Sequence, residues 1–381
     1  MPTRPPAASL PIAFYAPLKS PDDPVPSGDR TLARLLLAAL TTAGFEPALA
    51  STLRSFSVDG ARQNALLEAG ETQANEVAAR LMQLASQRRP RLWFTYHNHY
   101  KAPDLLGPAV SRALAIPYVI AEASHAPKRA GGPFDRFHHM AAQASLAADL
   151  HLVLNPRDGA GLAALRAGTE GLVPFAPFTA AAMGPAPLPI PEDGPLRLMT
   201  AAMMRPGDKF QSYRVLADAL GRLDCDWTLD VAGDGTARAE VEALFEGLGA
   251  RVRFHGLIDG PAELAAFYRA GDLLAWPGVN EAFGMTYLEA AREGRAAVAM
   301  RYGGVATVVA DGASGILTEA GDVAAFSATL DRLARNRALL RRLGAQARNH
   351  TMEHHGPEAA ARRLRETLCP LLKVGDARCA S

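Results

Sequence analysis

The sequence predicts an α/β protein made of two doubly wound parallel-sheet domains. Three observations point there. A chain of 381 residues exceeds what one ordinary hydrophobic core organises. Short apolar runs that end in polar or glycine-bearing clusters alternate with helical periodicity through both halves. Between residues 173 and 195 the composition changes abruptly, with proline at 174, 177, 185, 187, 189, 191 and 195, which marks an interdomain linker. The domains are accordingly expected at 1–180 and 181–355.

The first half opens with the strand Pro11-Ile-Ala-Phe-Tyr15, which breaks into a loop of turn formers, Ser20-Pro-Asp-Asp-Pro24 and Pro26-Ser-Gly-Asp29. A helix follows from about residue 29 to Gly44, completing the strand, loop and helix that begin a doubly wound sheet. Gly28 stands alone, so this is not the dinucleotide fingerprint, which needs a tighter glycine triplet. Residues 45–50 form a second strand and 61–87 a long helix. Arg91-Leu-Trp-Phe-Thr-Tyr96 is the next strand and releases His97-Asn-His-Tyr-Lys101; Pro117-Tyr-Val-Ile-Ala-Glu122 follows and releases Ala123-Ser-His-Ala-Pro-Lys-Arg129. Both polar clusters fall at strand carboxyl ends, where open α/β sheets bind ligands. His97, His99, His125, Lys128 and Arg129 are therefore candidate site residues. The alternative for His97 and His99 is that they hold loop backbone; their His-x-His spacing lacks further ligands for a metal. Residues 135–150 are helical, 150–155 a strand, and Pro156 opens a helix in its favoured first-turn position.

The second half begins with a strand at 196–204, the loop Arg205-Pro-Gly-Asp-Lys209 and a helix from about 211 to 223. Strands at 227–233 and 252–256 flank the turn Gly233-Asp-Gly235, and a helix at 261–270 leads to the buried strand Asp272-Leu-Leu-Ala-Trp-Pro277. Its continuation, Glu281-Ala-Phe-Gly-Met-Thr-Tyr-Leu-Glu289, places two carboxylates around a glycine turn that enters a helix. The free N–H groups near Gly284, Met285 and Thr286 suit a phosphate, and a side chain at Gly284 would hold that ligand off. A carboxylate beside a phosphate repels it, so Glu281 and Glu289 are read as acceptors of hydrogen bonds from neutral hydroxyls. Phosphate plus hydroxyls is the chemistry of a sugar nucleotide. The alternative is a helix cap at Glu281 and a solvated face at Glu289. A strand at 298–300, the turn Gly303-Gly304 and two helices within 322–351 follow, with a last helix at 357–372.

The Glu281-to-Glu289 stretch resembles the Glu-x7-Glu signature of retaining GT-B glycosyltransferases of family 4. The likeness continues through Glu289-Ala-Ala-Arg-Glu-Gly-Arg-Ala-Ala-Val-Ala-Met300 and Gly303-Gly-Val-Ala-Thr-Val-Val-Ala-Asp-Gly-Ala-Ser-Gly-Ile-Leu317. It is firm from about 196 to 318 and looser before that. The resemblance implies the GT-B fold, two Rossmann-like domains facing across a cleft, with acceptor in the first, nucleotide-sugar donor in the second, and residues 356–381 returning to the first. It further implies a diphosphate held by Arg205 and Lys209, although their separation is tighter than usual and surface solvation is the alternative. Donor phosphate and sugar would meet Phe283, Gly284 and Met285, the ribose Glu289, sugar hydroxyls Glu281 and the nucleobase 254–257. Ser27-Gly28-Asp29 takes the place of the family's first glycine loop, so Gly28 joins the donor-binding set. The family's histidine after the fourth strand falls here on Ala123; either His125 replaces it or the acceptor is handled differently. Catalytic assignments are thus Glu281, Arg205, Lys209 and His125, with no cofactor and no metal.

The chain carries 40 basic and 39 acidic residues, a net charge of +1, so no nucleic-acid partner is expected. Its 49% hydrophobic and 21% charged content is that of a globular chain. Three scattered cysteines, Cys225, Cys369 and Cys379, favour a reducing, cytoplasmic location. No apolar run is long enough to span a bilayer, and the first eight residues lack a signal peptide's apolar core. Arg88, Arg89 and Arg91 leave room for weak peripheral membrane contact. The reading is a retaining, metal-independent hexosyltransferase. Its rivals are a sugar-nucleotide epimerase or phosphorylase of the same fold, and a non-catalytic sugar-nucleotide-binding relative.

Overall fold

The computed structural model describes residues 10–25, 27–179 and 185–372. The chain divides into two units, Met1–Phe175 with Glu358–Ser381, and Ala176–Pro357. The start of the chain and residues 180–184 of the proline-rich belt lie outside the described residues.

The first unit runs β1 (Leu10–Tyr15), α1 (Gly28–Thr42), β2 (Phe45–Ser51), α2 (Gln63–Met82), β3 (Trp93–Asn98), α3 (Gly107–Leu114), β4 (Tyr118–Ala123), α4 (Asp135–Ala147), β5 (Leu150–Val153), α5 (Pro156–Arg166) and β6 (Leu172–Pro174). Its six parallel strands are ordered β2-β1-β3-β4-β5-β6. The second unit runs β7 (Leu196–Ala201), α6 (Asp208–Leu220), β8 (Trp227–Ala232), α7 (Arg238–Phe245), β9 (Val252–Gly256), α8 (Pro261–Ala270), β10 (Leu273–Ala275), α9 (Met285–Arg292), β11 (Ala296–Met300), β12 (Gly315–Thr318), α10 (Val323–Arg335) and α11 (Arg337–His355). Its parallel strands are ordered β12-β11-β10-β7-β8-β9. Last comes α12 (Pro357–Leu368), whose Arg365 donates from Nη1 to Ala43 O at the end of α1, 3.2 Å away.

Helices cover both faces of such sheets, so central strands read as unbroken apolar runs. Every residue of β10 and β11 is buried, whereas the edge strand β9 alternates between half-buried and exposed positions. The second core gathers Tyr213, Trp227, Tyr268, Trp276 and Tyr287 around these strands. Each buried leucine or valine packed with them, such as Leu198 or Val298, contributes about 1.5–3 kcal/mol.

The structure departs from the sequence expectation in several places. Leu172–Pro174, assigned in part to the linker, pairs with β5 as an edge strand; Pro174 is tolerated as its last residue because an edge needs no further ladder donor. The helices α3 and α7 had not been expected. Buried Asp104 starts α3 by accepting from the N–H groups of Leu106 (2.9 Å) and Gly107 (2.7 Å), while Thr95 and the Tyr118 hydroxyl satisfy its other oxygen. Helix α6 begins at Asp208, ahead of the expected start, because Gly207 (φ 86°) turns the chain in one residue. Cys225 is free, but Cys369 is disulfide-bonded, so cysteine usage no longer carries the argument for a reducing compartment. Among the described residues no helix is long and apolar enough to cross a membrane.

Candidate functional site

In the second unit the site grows from the carboxyl end of β10. The chain turns through three left-handed residues, Gly278 (φ 68°), Asn280 (φ 53°) and Gly284 (φ 78°), before entering α9. Gly303 and Gly304 let the next loop lie directly against this turn. A Cβ on either would sit 2.0 Å from Glu281 O or 1.9 Å from Ala282 O, and Gly304 N–H donates to Glu281 O at 3.2 Å. Gly284 caps α9 without offering a side-chain acceptor. The N–H groups of Gly284, Met285 and Thr286 have no hydrogen-bond acceptor among the described residues, and Phe283, Gly284 and Met285 are half-buried. Unengaged donors at the positive end of a helix make an anion site.

Two cations were expected beside it. Lys209 lies in the first turn of α6, where a positive charge opposes the helix dipole. Its ion pair with Glu281 Oε1 offsets that cost, and the same oxygen accepts from Trp276 Nε1 at 3.1 Å. Arg205 is exposed and its side chain has no partner among the described residues. The loop before it is pinned by the Gly233-Asp234-Gly235 turn, whose glycines would place a Cβ 2.0 Å from Ala202 O and 2.2 Å from Met204 O. Glu289, one turn further along α9, accepts from the Tyr268 hydroxyl at 3.0 Å, and burial lifts its carboxyl above the usual range. Leu257 is exposed and lines a groove of about 540 Å³ with Asp230, Arg253, His255 and Phe267.

In the first unit a second cluster forms at the strand ends, and it uses side chains. His97 (φ 72°) at the end of β3 and Glu122 (φ 57°) at the end of β4 both hold left-handed backbone without being glycine. Such residues cost about 1–3 kcal/mol each and collect at functional sites. Buried Asn98, next to His97, is anchored to α4, donating from Nδ2 to Ala141 O (2.9 Å) and Ser145 Oγ (3.0 Å). His97 Nδ1 lies 3.4 Å from Asp29 Oδ1, and both Nδ1 and Glu122 Oε2 are buried without a hydrogen-bond partner. Burial alone would push His97 down, yet the carboxyls of Glu122, Asp29 and Asp158 hold it above its ordinary value. The facing imidazole lowers Asp29, while burial raises Glu122 and Asp158. His99, half-buried beside His97 with ring centroids 4.6 Å apart, is pushed down to about 3 by desolvation and the neighbouring imidazole.

Of the expected residues, the structure brings Lys209 and Glu281 together and sets His97 with His99. His125 stands apart from the carboxylates, stacked on His138 with ring centroids 5.0 Å apart, and burial and that neighbour lower it. Gly28 is the first residue of α1, beside the Ser27 cap, with no atom within 4 Å of the place a Cβ would take. Lys128 and Arg129 are exposed, the latter 4.8 Å over the Tyr100 ring. Arg88, Arg89 and Arg91 are exposed as well. Sequence reasoning missed Asp158 and gave Asp29 and Glu122 no role. Asp158 looks like an ordinary acid in a first helical turn, whereas an acidic residue closing an apolar strand, as Glu122 does, was the available signal.

Residues 195–336 match the family described as Glycosyl transferases group 1. A D-inositol 3-phosphate glycosyltransferase of Xylanimonas cellulosilytica is 35% identical over 184 residues, 46% of this chain and 43% of that protein. One from Streptomyces avermitilis is 31% identical over 197 residues, 49% of this chain and 42% of its own length. The chain thus spans less than half the length of these relatives. In fold, the lipopolysaccharide outer core galactosyltransferase WaaB superposes with a TM-score of 0.71 at 16% identity, covering 95% of this chain and 99% of that one. Anabaena Alr3699/HepE in complex with UDP-glucose gives 0.67 at 18%, covering 95% and 100%.

Proposed function

We propose, for a chain whose residues 195–336 belong to the group 1 glycosyltransferases and whose fold is GT-B, that it transfers a hexosyl group from a nucleoside-diphosphate sugar to an acceptor hydroxyl. Transfer proceeds with retention and without a metal. The observation that carries this reading is the set of unengaged N–H groups at Gly284, Met285 and Thr286 next to the Lys209–Glu281 pair. A diphosphate supplies the acceptors those donors lack. Lys209 would exchange part of its bond to Glu281 for phosphate oxygens, freeing Glu281 to accept from sugar hydroxyls, and exposed Arg205 would add a second cation. Fixed cations stabilise charge growing on a departing diphosphate, the task a divalent metal performs in other sites. No enzyme nucleophile takes part; a departing phosphate oxygen takes the acceptor proton on the same face of the sugar.

On the acceptor side, the clustered carboxylates and imidazole of Asp29, His97, Glu122 and Asp158 suit hydroxyl groups, with His125 at a neighbouring loop. UDP-glucose in complex with HepE supports a sugar nucleotide as donor class. The test is incubation of the protein with labelled UDP-, GDP- and ADP-hexoses, with and without EDTA, in the presence of a polyol panel. Release of nucleoside diphosphate that survives chelation, with the anomeric configuration of the donor kept in the product, is the expected result. Isomerised donor, or neither binding nor release with every sugar nucleotide, contradicts the reading.

A further inference from the structure

Tyr268 is wholly buried in α8, yet its hydroxyl does not end in the core. It lies 3.0 Å from Glu289 Oε2 and 2.9 Å from Thr286 Oγ1. Thr286 and Glu289 sit three apart on α9 and so share one face. A phenol has a single proton. With Glu289 ionised, Tyr268 must donate to the carboxylate and accept from Thr286, which orders the chain as Thr286 to Tyr268 to Glu289. Oε1 of Glu289 has no partner among the described residues and remains available. The chain links the helix end where N–H groups are unengaged to the carboxylate one turn away.

We propose that Tyr268 is a positioning residue for nucleotide recognition: oriented by Thr286, it fixes the Glu289 carboxylate so that a vicinal diol, the 2′- and 3′-hydroxyls of a ribose, donates to it. The proposal rests on the sugar-nucleotide reading above and adds what holds the ribose-binding group in place. Without the tyrosine hydroxyl the half-buried carboxylate loses a donor to its charged form. It also loses the contact that selects its rotamer. Both effects penalise a ligand that needs two accepting oxygens, and neither touches one without hydroxyls.

The experiment measures calorimetric affinities of the full chain for UDP, GDP and ADP and their 2′,3′-dideoxy forms, in wild type, Tyr268→Phe and Thr286→Val. Unfolding midpoints without nucleotide establish that each variant is folded. The expected result is a loss of about ten-fold for the ribonucleotide in Tyr268→Phe, an unchanged affinity for the dideoxy form, and a smaller loss of the same kind in Thr286→Val. Equal losses for both nucleotide forms would make the role structural and overturn the proposal while leaving the sugar-nucleotide reading intact. Failure of wild type to bind any of the diphosphates would overturn both.

Discussion

The two units share an architecture and differ in how their strand ends do chemistry. Each has six parallel strands with the carboxyl ends of the central strands opening into loops. In the second unit the loops are shaped by glycine: Gly233, Gly235, Gly278, Gly284 and Gly303 all take positive φ, and the groups presented where the chain enters α9 are backbone N–H donors. In the first, His97 and Glu122 take the same backbone region at a steric cost, and what they present is a cluster of side chains that titrate. A backbone site suits a ligand of fixed charge such as a phosphate; a side-chain cluster suits groups that gain and lose protons. The contrast can be broken experimentally on either side.

The largest effect is expected at Lys209. Its replacement by alanine should lower transfer by roughly 100- to 1000-fold, the scale of losing one fixed donor to a developing oxyanion. Glu281→Gln should also lower transfer, with both purified variants retaining cooperative unfolding. Full activity in both would remove the phosphate-site assignment. Next is Gly284→Ala. The positive φ and a methyl carbon only 2.6 Å from the Tyr287 ring should cost about 1–3 kcal/mol and lower the melting temperature by several degrees. Diphosphate affinity should fall with it, and an unchanged melting temperature would mean that the turn is not held as described.

On the first unit the comparison is sharpened by pH. His97 is raised in the folded state, so its contribution to stability is complete below the ordinary imidazole range and is lost as pH rises through the raised value. Asp29 is lowered and contributes above the ordinary carboxylate range. The pair is therefore charged between those limits. His97→Gln should destabilise most near pH 5 and least near pH 9, as read from denaturant midpoints at roughly those values. A deficit that grows with pH would contradict the cluster's electrostatics. The smallest effect belongs to Gly28→Ala. Nothing in the protein demands glycine there, so stability should change by about 0.5–1 kcal/mol at most, in the stabilising direction. A fall in donor affinity without a fall in stability would show that a ligand approaches that backbone.

This difference between the units also explains what was legible in the sequence. The second site could be read because its signals are contiguous: a buried strand, Gly284 between Glu281 and Glu289, and Gly303-Gly304 after them. The partnership of Lys209 with Glu281 was not readable, since 72 positions separate them and only the fold brings α6 beside the loop. The first cluster was harder still. Asp29, His97, Glu122 and Asp158 arrive from four segments, and an acid in a first helical turn looks the same whether it caps the helix or faces an imidazole. The family's histidine position after the fourth strand favoured His125, which the fold stacks against His138. Edge strand β6 escaped notice because its proline resembled the linker that follows.

The most direct test is a crystal structure with a bound nucleoside diphosphate. Phosphate oxygens should lie about 2.7–3.2 Å from the N–H groups at Gly284, Met285 and Thr286, with Lys209 turned toward them. A nucleotide held elsewhere, for instance in the groove beside Asp230 and His255, with those N–H groups still facing solvent, would contradict the account.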